Sequence, residues 1–100
     1  MRETLENLSK TTYKPRFQTD FEDLDETVKT SVAEAVEELV SDYLTDPWHH
    51  PNVKYIEAEG SVWRLKVGNR GQKVDHRIFF DINDNGLVFL SVSHRDTAYK

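Results

Sequence analysis

DETVKTSVAEAVEELVSDYL, residues 25–44, is the stretch whose reading decides the fold. Val28, Val32, Ala35, Val36, Leu39, Val40, Tyr43 and Leu44 recur at steps of three and four with acids in the gaps, the spacing that gathers side chains on one face of an α-helix. It predicts an amphipathic helix of about 18 residues, with Glu34, Glu37, Glu38 and Asp42 on the solvent side. Pro47 and Pro51, on either side of WHH, then force a loop, because a ring-locked φ and a missing N–H cannot continue a helix.

Beyond that loop the apolar period drops from 3.6 to 2. In VWRLKV, Trp63, Leu65 and Val67 share one face, and Arg64 and Lys66 the other. HRIFFDI repeats this, with Ile78, Phe80 and Ile82 opposed to Arg77, Phe79 and Asp81. In LVFLSV the same alternation predicts an apolar row of Val88, Leu90 and Val92, and puts Phe89, Ser91 and Ser93 on the other side, in phase with Arg95. NDNG, residues 83–86, is turn chemistry for the last hairpin, since Asn and Gly tolerate positive φ. VKYIEAE, residues 53–59, reads as a further extended segment.

On the N-terminal side, TDFE at residues 19–22 has the capping-box form and predicts the start of a short helix with Phe17, Phe21 and Leu24 on its apolar side. A short strand over residues 12–17 precedes it, and residues 1–11, with Leu5 and Leu8 as apolar anchors, read as a flexible arm ahead of a single domain over 12–100. Helices followed by a strand meander make an α+β domain: two N-terminal helices on one face of a small, mostly antiparallel sheet.

Charge is distributed unevenly. Residues 1–52 hold 5 Lys/Arg against 12 Asp/Glu, whereas residues 53–100 hold 8 against 6. From Ser61 to Arg77 the cations Arg64, Lys66, Arg70, Lys73 and Arg77 meet a single acid, Asp75. If the helices cover the Trp63, Leu65 and Phe80 face, then Arg64, Lys66, Arg77 and Arg95 emerge together on the open face, with Phe79 and Phe89 among them. A basic face interleaved with aromatics can hold phosphates by charge and bases by stacking, which makes RNA or another polyanion the expected ligand. Arg77 and Asp81 fall on the same side, so a simple ion pair is the competing reading of Arg77.

The ordered set YKPRFQTDFEDLDETVKTSVAEAVEELV, VWRLKVG, HRIFFDIND and LVFLSVSHRDTAY resembles the RelE/ParE superfamily of toxin–antitoxin systems. The resemblance implies a RelE-like β-α-α-β-β-β fold and, in the mRNA-cleaving branch, basic residues and a late tyrosine around the scissile phosphate of ribosome-bound mRNA. Carried over singly, those positions fall on Arg64, Lys66, Arg77, Arg95 and Tyr99, with His94 the candidate where relatives use a histidine. Cleavage by attack of the ribose 2′-OH needs no metal. Arg77 and Arg95 would clamp non-bridging oxygens, His94 or Lys66 would take the proton, and Arg64, Arg70, Lys73, Phe79 and Phe89 would hold the RNA. The expected partners are ribosome-bound mRNA and a cognate antitoxin that carries acids to this face. The alternative implied by the same superfamily is a ParE-like inhibitor of DNA gyrase, or a partner-binding protein without catalysis. The loop GNRGQKVDH between Val67 and Arg77, longer than the tight hairpin of the family, and the acidic overall balance favour that alternative.

Other signals are weaker. DINDNG opens like a calcium loop, but its twelfth position is Val92 and its flanks read as strands. His49 and His50 sit adjacent between prolines, without ligand spacing, so no metal or other cofactor is expected. MRETLENLSK lacks the apolar run of a secretory signal, and no stretch approaches the roughly 18 apolar residues of a membrane span. A chain without cysteine suits a reducing cytoplasm.

Overall fold

A proline and an aspartate set where the helices begin. The computed structural model describes residues 11–43, 46–57, 62–69, 72–83 and 86–94. Strand β1 (Thr11–Tyr13) leads directly into α1 (Pro15–Glu22), with Pro15 at the first helical turn, where its missing N–H is one that a helix start leaves unused. TDFE therefore forms the end of α1 and not its start, and the strand expected over residues 12–17 stops at Tyr13. Within that quartet Asp20 pins α1 to the sheet, since its Oδ2 accepts from the Val92 N–H at 3.0 Å. Helix α2 (Glu26–Asp42) follows the predicted periodicity. The Asp25 carboxylate caps it, accepting from the Val28 N–H at 3.0 Å. Val28, Val32, Val36, Leu39 and Val40 are its buried residues.

After a 3-10 turn (Pro47–His49) come β2 (Val53–Ile56), β3 (Val62–Gly68), β4 (Asp75–Asn83) and β5 (Gly86–His94). The segment VKYIEAE thus contributes a true strand, with residues 58–59 outside the described set. The sheet order is β1-β5-β4-β3-β2. Only the β1–β5 pair is parallel, and both helices and the other three strands lie between these two strands in the chain. Gly68 carries φ +83 at the mouth of the β3–β4 hairpin, where an added Cβ would fall 1.8 Å from the Val74 carbonyl oxygen, so no other residue fits this turn.

The core forms where α1 and α2 cover one side of the sheet: Val32, Leu39 and Val40 share a buried cluster with Leu65, Ile78, Phe80, Leu87 and Phe89. Phe89 stacks on Tyr13, ring centroids 5.3 Å apart, and tilts against Phe17 and Phe80. This corrects the expected row of β5. Phe79 pairs with Ser91 but Phe80 pairs with Phe89, so Leu90 is an extra residue at a β-bulge. One inserted residue reverses the alternation beyond it. Of Val88, Leu90 and Val92 only Val92 is buried, while Leu87 and Phe89 turn inward. Among the described residues no helix is long and apolar enough to cross a membrane.

Candidate functional site

The face of the sheet away from the helices carries the cations of β2, β3 and β4. Register sets them in two rows: Lys54 beside Arg64, then Phe79 and Ser91, and next to it Lys66 beside Arg77, then Ser93. Directly opposed residues project to the same side, so Arg64, Lys66 and Arg77 do converge as the alternation predicts. Lys54 joins them. Its place was legible in the phase of VKYI once that segment is read as a strand paired antiparallel to β3.

Arg77 is buried and paired within the sheet. Its Nη1 donates to Asp75 Oδ1 at 3.1 Å and to the His76 carbonyl at 3.0 Å. The side chains of Arg77 and Asp75 are 5 % and 6 % exposed. Asp75, and not Asp81, is the partner; Asp81 is exposed and accepts from the Ile82 N–H. A desolvated guanidinium needs a fixed anion, and Asp75, two residues earlier on the same side of β4, supplies it. Phe79, expected to stack on a base, is 9 % exposed and lies in the row of Arg64.

The other candidates scatter. His94 pairs with His76 in register, next to the row of Leu65, Ile78 and Val92, which places both histidines on the helix side of the sheet, behind Lys66 and Arg77. Their rings meet edge to face at 5.1 Å. Burial, and then the neighbouring His94, hold the His76 pKa below its usual value, and its Nδ1 accepts from the Asp75 N–H at 3.2 Å. Lys73 also sits with the helices: its Nζ is 3.4 Å from Asp25 Oδ2. The Val28 N–H foremost, with Lys73 adding to it, keeps the Asp25 carboxyl below the ordinary carboxylate range. Phe89 lies in the core. Arg70, Arg95 and Tyr99 fall outside the described residues.

Two features escaped the sequence reading. His50 is buried against Tyr43, its Nδ1 accepting from the Asn52 N–H at 3.0 Å and its Nε2 2.7 Å from Glu38 Oε1. Both ring nitrogens are committed to anchoring the loop. Among the described residues no group of three or more His, Cys, Asp or Glu stands ready for a metal ion. The second feature is an apolar groove of ≈ 480 Å³ lined by Tyr13, Phe17, Phe21, Ala33 and Val36, from β1, α1 and α2.

The fold is similar to one found in the crystal structure of the RelB–RelE antitoxin–toxin complex from Methanococcus jannaschii. One chain of that crystal structure is similar to this one with a TM-score of 0.60 and 19 % identity, over 88 % of this chain and 94 % of that one. No curated protein sequence matches. The family model for the ParE toxin of the type II toxin–antitoxin system parDE matches residues 12–99, from β1 through the C-terminal tyrosine. With nearly the whole chain inside that match and the fold in agreement, the protein belongs to the ParE toxin family, within the RelE/ParE superfamily of type II toxin–antitoxin systems.

Proposed function

We propose that this toxin acts by binding a protein target, DNA gyrase being the one the ParE family implies, and not by cutting RNA, and that a cognate antitoxin protein neutralises it. The observation that carries this reading is the Arg77–Asp75 pair. A residue that clamps a phosphoryl oxygen must present its N–H groups to the ligand. Arg77 instead spends Nη1 on a carboxylate and a backbone carbonyl inside the sheet. His94, the candidate base, stands on the opposite side of the sheet from Lys66, so the two cannot flank one phosphate from a common surface. The family match to a ParE toxin supports the same reading.

A second reading, ribosome-dependent cleavage of mRNA, draws support from the Lys54, Arg64 and Lys66 rows on the open face. It would rest on these cations together with Arg95 and Tyr99. Pulse labelling after induction separates the two. In the proposed reading DNA synthesis falls first, the purified toxin blocks supercoiling by gyrase, and His94→Ala and Tyr99→Phe leave that block intact. Arrest of protein synthesis ahead of DNA synthesis, with mRNA cut in purified ribosome complexes, would overturn it.

A further inference from the structure

Tyr13, Phe17 and Phe21 follow one another along the apolar groove, with ring centroids 5.5 Å and then 6.3 Å apart. Ala33, which is exposed, and Val36 complete the apolar lining from α2, and the exposed residues Glu22 and Glu37 stand at its rim. Tyr13 and Phe21 are only half-buried against the core, so apolar surface here faces water, at a cost proportional to its area.

The described chain begins at Thr11, two residues before Tyr13. Residues 1–10 are therefore tethered at the end of the groove that Tyr13 marks. They carry Leu5 and Leu8, three apart, the spacing that puts two side chains on the same side of a helical turn. Counted back from Tyr13, Leu8 and Leu5 lie within about 17 and 27 Å of extended chain. Helix α1, with eight residues, is about 12 Å long, so the segment can double back over its whole length.

We propose that residues 1–10 are the occupant of this groove. The segment turns back from β1 along α1, seats Leu8 near Tyr13 and Phe17 and Leu5 near Phe21 and Ala33, and closes the groove to any other occupant until it is displaced. Two observations choose this occupant. A tethered segment meets the groove at a high effective concentration, which a free partner lacks. Charge acts in the same direction. Residues 11–52 hold 3 Lys/Arg against 10 Asp/Glu, which repels an acidic segment, whereas Arg2 and Lys10 balance Glu3 and Glu6 within residues 1–10. A second copy docked groove to groove would bring its own Glu22 and Glu37 to the same rim, and like charges disfavour that pairing.

The chain has no cysteine, so an engineered pair reports proximity directly. Ser9→Cys with Glu37→Cys leaves both leucines and the apolar lining in place. In a glutathione redox buffer this pair should close an intramolecular disulfide at least about tenfold faster than Ser9→Cys with Lys54→Cys, which lies on β2 at the opposite edge of the sheet from β1. Adding Leu5→Ser and Leu8→Ser should slow the first pair to the rate of the second. The same two serines in the cysteine-free chain should lower the melting temperature by about 5 °C or more. Equal rates for the two cysteine pairs, closure indifferent to the serines, disulfides between two chains instead of within one, or an unchanged melting temperature would each overturn the proposal. None of these readouts involves gyrase or RNA.

Discussion

Replacing Arg77 with methionine should destabilise the protein severely, and replacing Asp75 with valine at the same time should restore most of what is lost. The guanidinium donates at 3.1 Å to the Asp75 carboxylate, and both side chains are more than nine-tenths buried. Methionine fills similar space but leaves the carboxylate out of water with its cation gone. Breaking a buried pair from one side costs about 3–5 kcal/mol, and at about 4–8 °C per kcal/mol for a domain of this size the melting temperature should fall by roughly 12 °C or more. The double variant removes both charges, so its loss should be much smaller than the sum of the single losses, with a coupling of about 2 kcal/mol or more. Urea denaturation of the four proteins gives the cycle directly. Additive losses, or an Arg77→Met protein as stable as wild type, would show that the two buried charges are not coupled and that Arg77 is at the disposal of a ligand. The same variants bear on function. If Arg77 is structural, toxicity per folded molecule survives in the double variant; if it clamps phosphate, toxicity disappears while stability recovers.

Phe89→Ala should cost about 3–5 kcal/mol, because the ring is fully buried against Tyr13, Phe17 and Phe80; a stable Phe89→Ala protein with altered RNA binding would return Phe89 to the open face. Gly68→Ala should lower the melting temperature clearly, since the new Cβ meets the Val74 carbonyl and the backbone must hold φ +83; an unchanged melt would mean that the hairpin mouth relaxes freely. His76 has a pKa lowered chiefly by burial. The unfolded chain therefore takes the proton first on acidification, and the contribution of His76 to stability, complete above the unfolded value of about 6.5, is lost as pH falls from there toward the folded pKa. Chemical denaturation between pH 7.5 and 5 should show wild type losing more stability than His76→Gln, and parallel profiles would contradict the assignment.

Much of the architecture is written in short-range pattern. The helix over Glu26–Asp42 follows from valines and leucines at three- and four-residue steps, and the inward rows Leu65, Val67 and Ile78, Phe80 follow from strict alternation, because both periods are properties of the backbone itself. The convergence of Arg64, Lys66 and Arg77 on one face follows as well. Where two local signals compete, pattern alone does not choose: the TDFE quartet promises a helix start, but Pro15 four residues earlier already provides one, and the quartet closes α1 instead.

What only the tertiary structure decides is set by contacts distant along the chain. The bulge at Leu90 belongs to the pairing of β5 with β4, and it carries Phe89 from the expected ligand face into the core. The choice of Asp75 over Asp81 for Arg77 depends on which acid shares its buried position, which a list of charges does not contain. His94 lands behind the cations through its register with His76, and Lys73 leaves the cation face for the cap of α2. Composition and periodicity determined that this is a helix-covered sheet with cations on its open side; burial, register and one extra residue decided which of those cations are bound into the fold.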